Sequence, residues 1–290
     1  MAIRDAEAPP AFSADSKSIV YDRMSDYVIA VRTYKRARLF HDATLSMLTK
    51  QGLLDRLHVF VGSDISEYEA VCGPLRYHPA PVGGHHAIAA ICQHFPRGQP
   101  ILFLDDDMET FYNYDLTTDT FSNTGLHDQI TRGFAGGAPF GFGFLTNKLW
   151  LRKLRPLRPS YSTMSGCAFG AINEPDICTP AAHCDDLLRT VQYLKAGRVP
   201  NVLSGAGFKT KYAMNPGGLQ ASGDRTDTLA TCQSLLPYVE DWVMGIVKQS
   251  CGLYALRLFS AATLRKLVRD LPVPTTADSA LSSADSYGHS

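Results

Sequence analysis

Short unbroken apolar runs recur through the first part of the chain: Val28 to Val31, the His-Val-Phe-Val within Leu57 to Gly62, and Ile101 to Leu104 after Pro100. Runs of this length, bounded by turn residues, predict strands buried on both faces, as in a parallel sheet. Leu75 and Tyr77 predict a further strand ahead of Pro79 and Pro81. Between the runs the period changes. Leu39, Ala43, Leu45, Met47 and Leu48 stand at helical spacing and stop near Gly52. Gly83 and Gly84 open a second helix carrying Ile88, Ile91, Cys92 and Phe95, closed by Gly98. Repeated strand, turn and helix predict an α/β fold around a mostly parallel sheet.

The second half is less regular. Residues 111 to 127 are polar and aromatic and predict a loop or edge hairpin. Phe140 to Leu145 alternates Gly with Phe and Leu, a strand where backbones approach closely, and Met164 to Ile172 predicts a returning strand. Asp185 and Asp186 precede Leu187, Leu188, Val191, Tyr193 and Leu194 at helical spacing, closed by Ala196 and Gly197. Val199 to Leu203 and Phe208 to Tyr212 predict paired strands about Gly205 and Gly207, with a mobile turn at Gly217 to Gln220. Leu229 to Arg269 is helical in pattern. The expected organisation is a flexible arm (1–24), a catalytic domain (25–225), a helical C-terminal extension packed on it (226–270) and a disordered tail (271–290).

Composition narrows the function classes. Lys plus Arg and Asp plus Glu both count 28, so there is no global basic field to gather nucleic acid, and any such contact must be local. The 7 Cys are odd in number and lack Cys-x-x-Cys spacing, which argues against a disulfide framework or a structural zinc site and suits a reducing compartment. Pro9 and Pro10 interrupt the start, where a secretory signal needs an apolar run. The expectation is a cytoplasmic protein with no membrane partner.

The strongest chemical signal is Asp105, Asp106 and Asp107 at the end of a buried strand. Three adjacent carboxylates repel one another, and a divalent cation or donor-rich ligand relieves that repulsion. A solvated acidic turn is the plain alternative. A haloacid-dehalogenase phosphatase is excluded by spacing, because Glu109 stands two positions after Asp107 and Thr110 comes one residue late. Neither a Gly-x-Gly-x-x-Gly, a P-loop nor a Gly-x-Ser-x-Gly elbow occurs. In open parallel sheets, ligands bind beyond the carboxyl ends of the strands, and Arg32, Asp64 and Asp105 to Asp107 all fall on that edge. Asp185 and Asp186 read as a helix cap or as a second acidic centre. The run Lys148, Arg152, Lys153, Arg155 and Arg158 reads as a solvated face or a phosphate-binding surface.

Val28-Ile-Ala-Val-Arg-Thr-Tyr-Lys-Arg36, together with Ile101 to Asp107 and the Asp185-Asp186 helix ending in Ala196-Gly197, resembles the glycosyltransferase A-type (Rossmann-like) fold. In that family the corresponding elements are the opening strand and turn, the Asp-x-Asp motif and the Glu-Asp helix. Adding Lys209-x-Lys211 and Gly217-Gly218-Leu219-Gln220, the set is similar to phage glycosyltransferases, associated with TET-like base oxidases, that decorate hydroxymethylated pyrimidines in DNA.

The resemblance implies a central, mostly parallel sheet flanked by helices. It also implies transfer of a sugar from a nucleoside-diphosphate sugar, a UDP-sugar, to 5-hydroxymethylcytosine or 5-hydroxymethyluracil in DNA, with inversion. Asp107 and Asp105 would hold Mn2+ or Mg2+. Arg32, Thr33, Asp64, Asp105 and Asp106 would contact the nucleotide, as would His85, His86, Lys209 and Lys211. Asp186, with Asp185 next, would be the base. Lys35 and Arg36, with Lys148, Arg152, Lys153, Arg155 and Arg158, are the DNA-contact candidates, in a phage-infected bacterial cell. The same fold with a polysaccharide or protein acceptor, or a non-catalytic nucleotide-sugar or DNA-binding module, are the competing readings.

Overall fold

A computed structural model of the chain describes residues 26–137, 139–143, 148–177, 185–210, 228–248 and 254–271. The expected N-terminal arm, the tail beyond residue 271, Lys211 and Gly217 to Gln220 lie outside the described residues.

Strand β1 (Val28–Thr33) leads into a helical segment α1 over residues 37–50, whose middle, His41–Leu45, is a π-helical turn. Then follow β2 (Leu57–Val61), α2 (Ile65–Cys72), β3 (Arg76–Pro79), α3 (Gly84–His94) and β4 (Pro100–Asp105). The expected strand, turn and helix units are all present. A hairpin of β5 (Thr110–Asp115) and β6 (Thr120–Ser122) comes next, then α4 (Leu126–Ala135), β7 (Phe140–Gly143), a single turn α5 (Lys148–Leu151) and β8 (Leu157–Pro159). The chain continues through β9 (Ala168–Ile172), α6 (Asp185–Lys195), β10 (Asn201–Ser204), β11 (Ala206–Lys209) and α7 (Thr228–Val239). It ends with β12 (Val243–Lys248), β13 (Tyr254–Leu258) and α8 (Ala261–Arg269).

Eight strands form the central sheet in the order β3-β2-β1-β4-β9-β7-β10-β8. The first four are parallel, β9 runs antiparallel to both β4 and β7, and β10 is parallel to β7. This is the expected α/β architecture with a mainly parallel sheet. Ile29, Leu102 and Leu104 pack with α1, α2 and α4 on one face, while Ala30, Phe60 and Phe103 pack with α3 on the other. Burial on both faces is why the strands read as continuous apolar runs.

The glycines in and around β7 make room for neighbouring side chains rather than for the close backbone expected: a Cβ at Gly143 would stand 2.6 Å from Val202 Cγ2, and one at Gly141 3.1 Å from Met164 Cγ. A Cβ at Gly170 of β9 would stand 2.2 Å from the Phe140 ring, and one at Gly133 of α4 would stand 2.6 Å from it. The ring occupies the volume these two glycines leave open.

Two expectations are corrected. The strands on either side of Gly205 do not pair with each other: β10 lies between β7 and β8, whereas β11 pairs with β5 in a separate antiparallel sheet. Only Gly205, at φ 82°, separates them, and a hairpin needs at least two connecting residues. The chain turns a corner there and changes sheets. The C-terminal extension holds the expected helices α7 and α8, but the antiparallel pair β12–β13 lies between them. Both strands are short, mostly apolar runs, which periodicity alone does not distinguish from a buried helix segment. One apolar cluster joins Leu187, Val191 and Leu194 of α6 to Cys232, Trp242 and Leu264 of the extension.

Candidate active site

The register of the parallel strands sets where side chains emerge. Arg32 lies opposite Asp105 across β1 and β4, and Thr33 opposite Val61 across β1 and β2, so these strands finish at a common edge. Immediately past it, Thr44 fixes the aspartate loop from below. Its hydroxyl donates to the Asp105 carbonyl at 2.9 Å and accepts from the Met108 N–H at 2.9 Å, with the side chain fully buried. Thr44 lies within the π-helical turn, whose extra residue per turn alters which side chains face the loop.

The three aspartates have different surroundings. Asp106 turns inward, 4% exposed, accepting from the Thr33 hydroxyl at 2.7 Å and pairing with Arg36 at 3.2 Å. Burial pushes its pKa up to about 6, against the lowering contributions of Thr33 and Arg36. The nucleotide contact expected of Asp106, and the DNA contact expected of Arg36, would have to be made from this inward-facing pair. Thr33 is buried too, with its hydroxyl also 2.8 Å from that of Tyr68. Asp105 lies at the rim, where its Oδ1 accepts from Arg32 Nε at 2.7 Å. Burial raises its pKa and Arg32 works in the opposite direction, with Asp107 and Asp185 adding to the rise. Asp107 is half-buried.

Arg32 also reaches the second acidic centre. Its Nη2 donates to the Gly166 carbonyl at 2.8 Å, and its Nη1 lies 4.0 Å from Asp185 Oδ2 at the start of α6. That Nη1 is buried and makes no hydrogen bond. Residues 80 apart in sequence, Asp105 and Asp185, thus flank one guanidinium. Asp185 is held by Arg189 one turn along the helix at 2.7 Å, and Arg189 itself stacks 4.2 Å over the Phe169 ring. Although burial acts to raise the Asp185 pKa, Arg189 and Arg32 bring it below the ordinary carboxylate value. Asp186 goes the other way: burial and the charge of Asp185 raise its pKa. Its Oδ1 accepts from the Leu187 N–H at 2.8 Å, and its Cβ packs against Gly166, where an added Cβ would come within 3.3 Å.

The other expected residues scatter around this edge. Asp64 is exposed and caps α2, accepting from the Ser66 hydroxyl at 2.8 Å and from the Ser66 N–H at 2.9 Å, which together lower its pKa. His85 and His86 open α3 with ring centroids 3.9 Å apart. Lys209 ends β11 with Nζ 3.7 Å from Glu109, close to the aspartate loop because the Glu109 N–H donates to the Lys209 carbonyl at 2.9 Å. The basic run is not one open face. Arg152 forms a charge-assisted pair with Asp119, Lys148 donates to the Asp119 carbonyl at 2.6 Å, and Arg158 donates to Ser204 at 3.1 Å. Lys35, Lys153 and Arg155 are exposed.

Sequence reasoning missed Thr44, Gly166, Cys167 and Arg189. Arg189 carried a readable signal, four residues after Asp185 on a helix. Cys167 sits beside Asp105 and Arg32, and burial pushes its thiol up to about 11.

No family model matches the chain. No curated protein matches it either. Among solved structures, it is similar to a mycobacterial protein at 12% identity, with 87% of this chain and 89% of that one covered and a TM-score of 0.47. It is also similar to glucosyl-3-phosphoglycerate synthase from Mycobacterium tuberculosis in complex with Mn2+ and uridine-diphosphate-glucose, at 12% identity, 87% and 92% coverage and a TM-score of 0.42. These likenesses are distant. Among the described residues, no helix is long and apolar enough to cross a membrane.

Proposed function

We propose that this chain is a metal-dependent glycosyltransferase that moves a sugar from a nucleoside-diphosphate sugar, a UDP-sugar, to a hydroxyl of hydroxymethylated pyrimidine in DNA. The observation that carries the reading is Arg32 between Asp105 and Asp185, which supports one site built from both acidic centres. Its buried Nη1, which faces Asp185 at 4.0 Å but makes no hydrogen bond, is a donor suited to an anionic ligand such as a diphosphate. Asp105 and Asp107 offer oxygen donors, the set that hard Mg2+ or Mn2+ prefers. When bound, such a cation offsets the charge that grows on a departing diphosphate.

The chain's own residues divide the remaining work. Asp185, ionised and held by two arginines, fixes the start of α6. Asp186 has the raised pKa that a base needs, and one of its oxygens is already engaged by its own helix. The other oxygen takes the proton from the acceptor hydroxyl as it attacks the anomeric carbon. Direct displacement of this kind inverts that carbon. Lys209, 60% exposed at the side of the loop, supplies a mobile positive charge toward the diphosphate.

The DNA acceptor draws on the motif resemblance; of its expected cations Lys35, Lys153 and Arg155 are exposed away from Asp119, while Lys148 and Arg152 are exposed but engaged by it. Engagement of Lys148 and Arg152 by Asp119 favours a second reading, the same transfer to a polysaccharide or protein acceptor. Mass spectrometry of hydroxymethylated and unmodified duplexes, incubated with mixed UDP-sugars and Mn2+, separates them. The expected result is one added sugar per hydroxymethylated base. Asp186→Asn should keep donor binding and lose transfer by at least about 100-fold. UDP-sugar cleavage with no DNA adduct would move the acceptor to the second reading, and normal turnover by Asp186→Asn would remove Asp186 as the base.

A further inference from the structure

His58 on β2, His78 on β3 and His94 at the end of α3 are far apart in sequence and take no part in the carboxylate edge. The sheet register brings the first two together. His58 lies opposite Arg76 and Phe60 opposite His78, so His58, Phe60 and His78 emerge on one face, where α3 packs. One ring nitrogen from each of the three histidines lies within 4.8 Å of those of the other two. His58 Nδ1 stands 2.9 Å from His78 Nε2, and the His78 and His94 ring centroids are 4.1 Å apart.

We propose that His58, His78 and His94 form a zinc site, with water in the fourth position, that clamps β2, β3 and α3 together. Tetrahedral Zn2+ with bonds of about 2.0–2.1 Å places its ligand nitrogens roughly 3.3 Å apart. The short His58–His78 separation opens slightly to reach this value, and the wider ones close by side-chain rotation. Imidazole donors favour Zn2+ over the Mg2+ or Mn2+ that carboxylates prefer, so the two centres select different ions. Ligation requires neutral rings. Burial, with the neighbouring charges of His78, Arg76 and His94, holds His58 down to about 4, and burial and His94 lower His78 too. His94 is exposed, which gives the ion a route in, and it is the last residue of α3, where the helix dipole favours a cation. Phe60 and Phe95 pack edge-on to His94, limiting where its ring can turn. Along 11 residues α3 rises about 1.5 Å each, so the histidines lie roughly 16 Å from the helix start at the carboxylate edge.

The test uses the full-length, untagged protein saturated with Mn2+ and titrated with ZnCl2 by calorimetry. The expected result is one Zn2+ per chain at sub-micromolar affinity. His94→Gln and His78→Gln should each weaken it by more than the roughly 10- to 100-fold typical of outer-shell changes, while Asp107→Asn leaves it unchanged. Co2+ should give a visible d–d spectrum that the same two histidine variants abolish. Because His94 is exposed, His94→Gln should keep the apo unfolding midpoint, which separates loss of a ligand from loss of the fold. Absence of Zn2+ uptake would overturn the proposal. So would uptake unaffected by both histidine variants, or uptake abolished by Asp107→Asn.

Discussion

Replacing Thr44 by Val tests whether the aspartate loop is held from beneath. The side chains are nearly the same shape, so the change removes one hydroxyl and leaves little cavity. That hydroxyl satisfies two main-chain groups, the Asp105 carbonyl and the Met108 N–H, each at 2.9 Å, and they bracket Asp106 and Asp107. Leaving a buried polar group without a partner costs about 1–3 kcal/mol, so two of them give a loss of about 2–6 kcal/mol. Urea unfolding measures it, the midpoint falling at constant slope. Thr44→Ser keeps the hydroxyl and removes one methyl, so its loss should be nearer 1 kcal/mol. Mn2+ affinity should fall in the Val variant and recover in the Ser variant, because the loop bearing Asp105 and Asp107 depends on the same two bonds. A Val variant within about 0.5 kcal/mol of the parent, or a Ser variant as damaged as the Val one, would refute the argument.

Two further perturbations follow from the same edge. Arg32→Lys keeps the charge but cannot reach both Asp105 and the Gly166 carbonyl, so it should cost about 1.5–3 kcal/mol and weaken donor binding by calorimetry; unchanged stability and affinity would mean that the fork geometry does not matter. Asp106 has its pKa raised from 3.8 to about 6, so the fold favours its protonated form: its contribution is fully present below about pH 3.8 and lost as pH rises through about 6, worth roughly 3 kcal/mol. The stability of Asp106→Asn relative to the parent should therefore improve between pH 4 and 7, and the opposite slope would show that the Arg36 pair outweighs burial.

What could be read in the chain was what neighbours in sequence decide. Ile101 to Asp107 announced a buried strand ending in acid, and Asp185-Asp186 announced a second acidic centre at a helix start, because four apolar residues and a helical period are local signals. What could not be read were the partners. Asp106 looks the same as Asp105 and Asp107 until Thr33 and Arg36 are brought to it across the sheet. Thr44 looks like an indifferent helix residue until the loop arrives above it. Lys148 to Arg158 looked like a basic surface because its local stretch has no acid to answer it, and the answer, Asp119, comes from the β5–β6 turn. His58, His78 and His94 are each unremarkable alone and meet only because β2, β3 and α3 are adjacent. A charge in sequence is therefore a weak guide to a charge in the field a ligand meets. Of the cations and carboxylates singled out from the sequence, those still facing outward at this edge are fewer than the count suggests, and the site's electrostatics depend on which of them the fold has already neutralised.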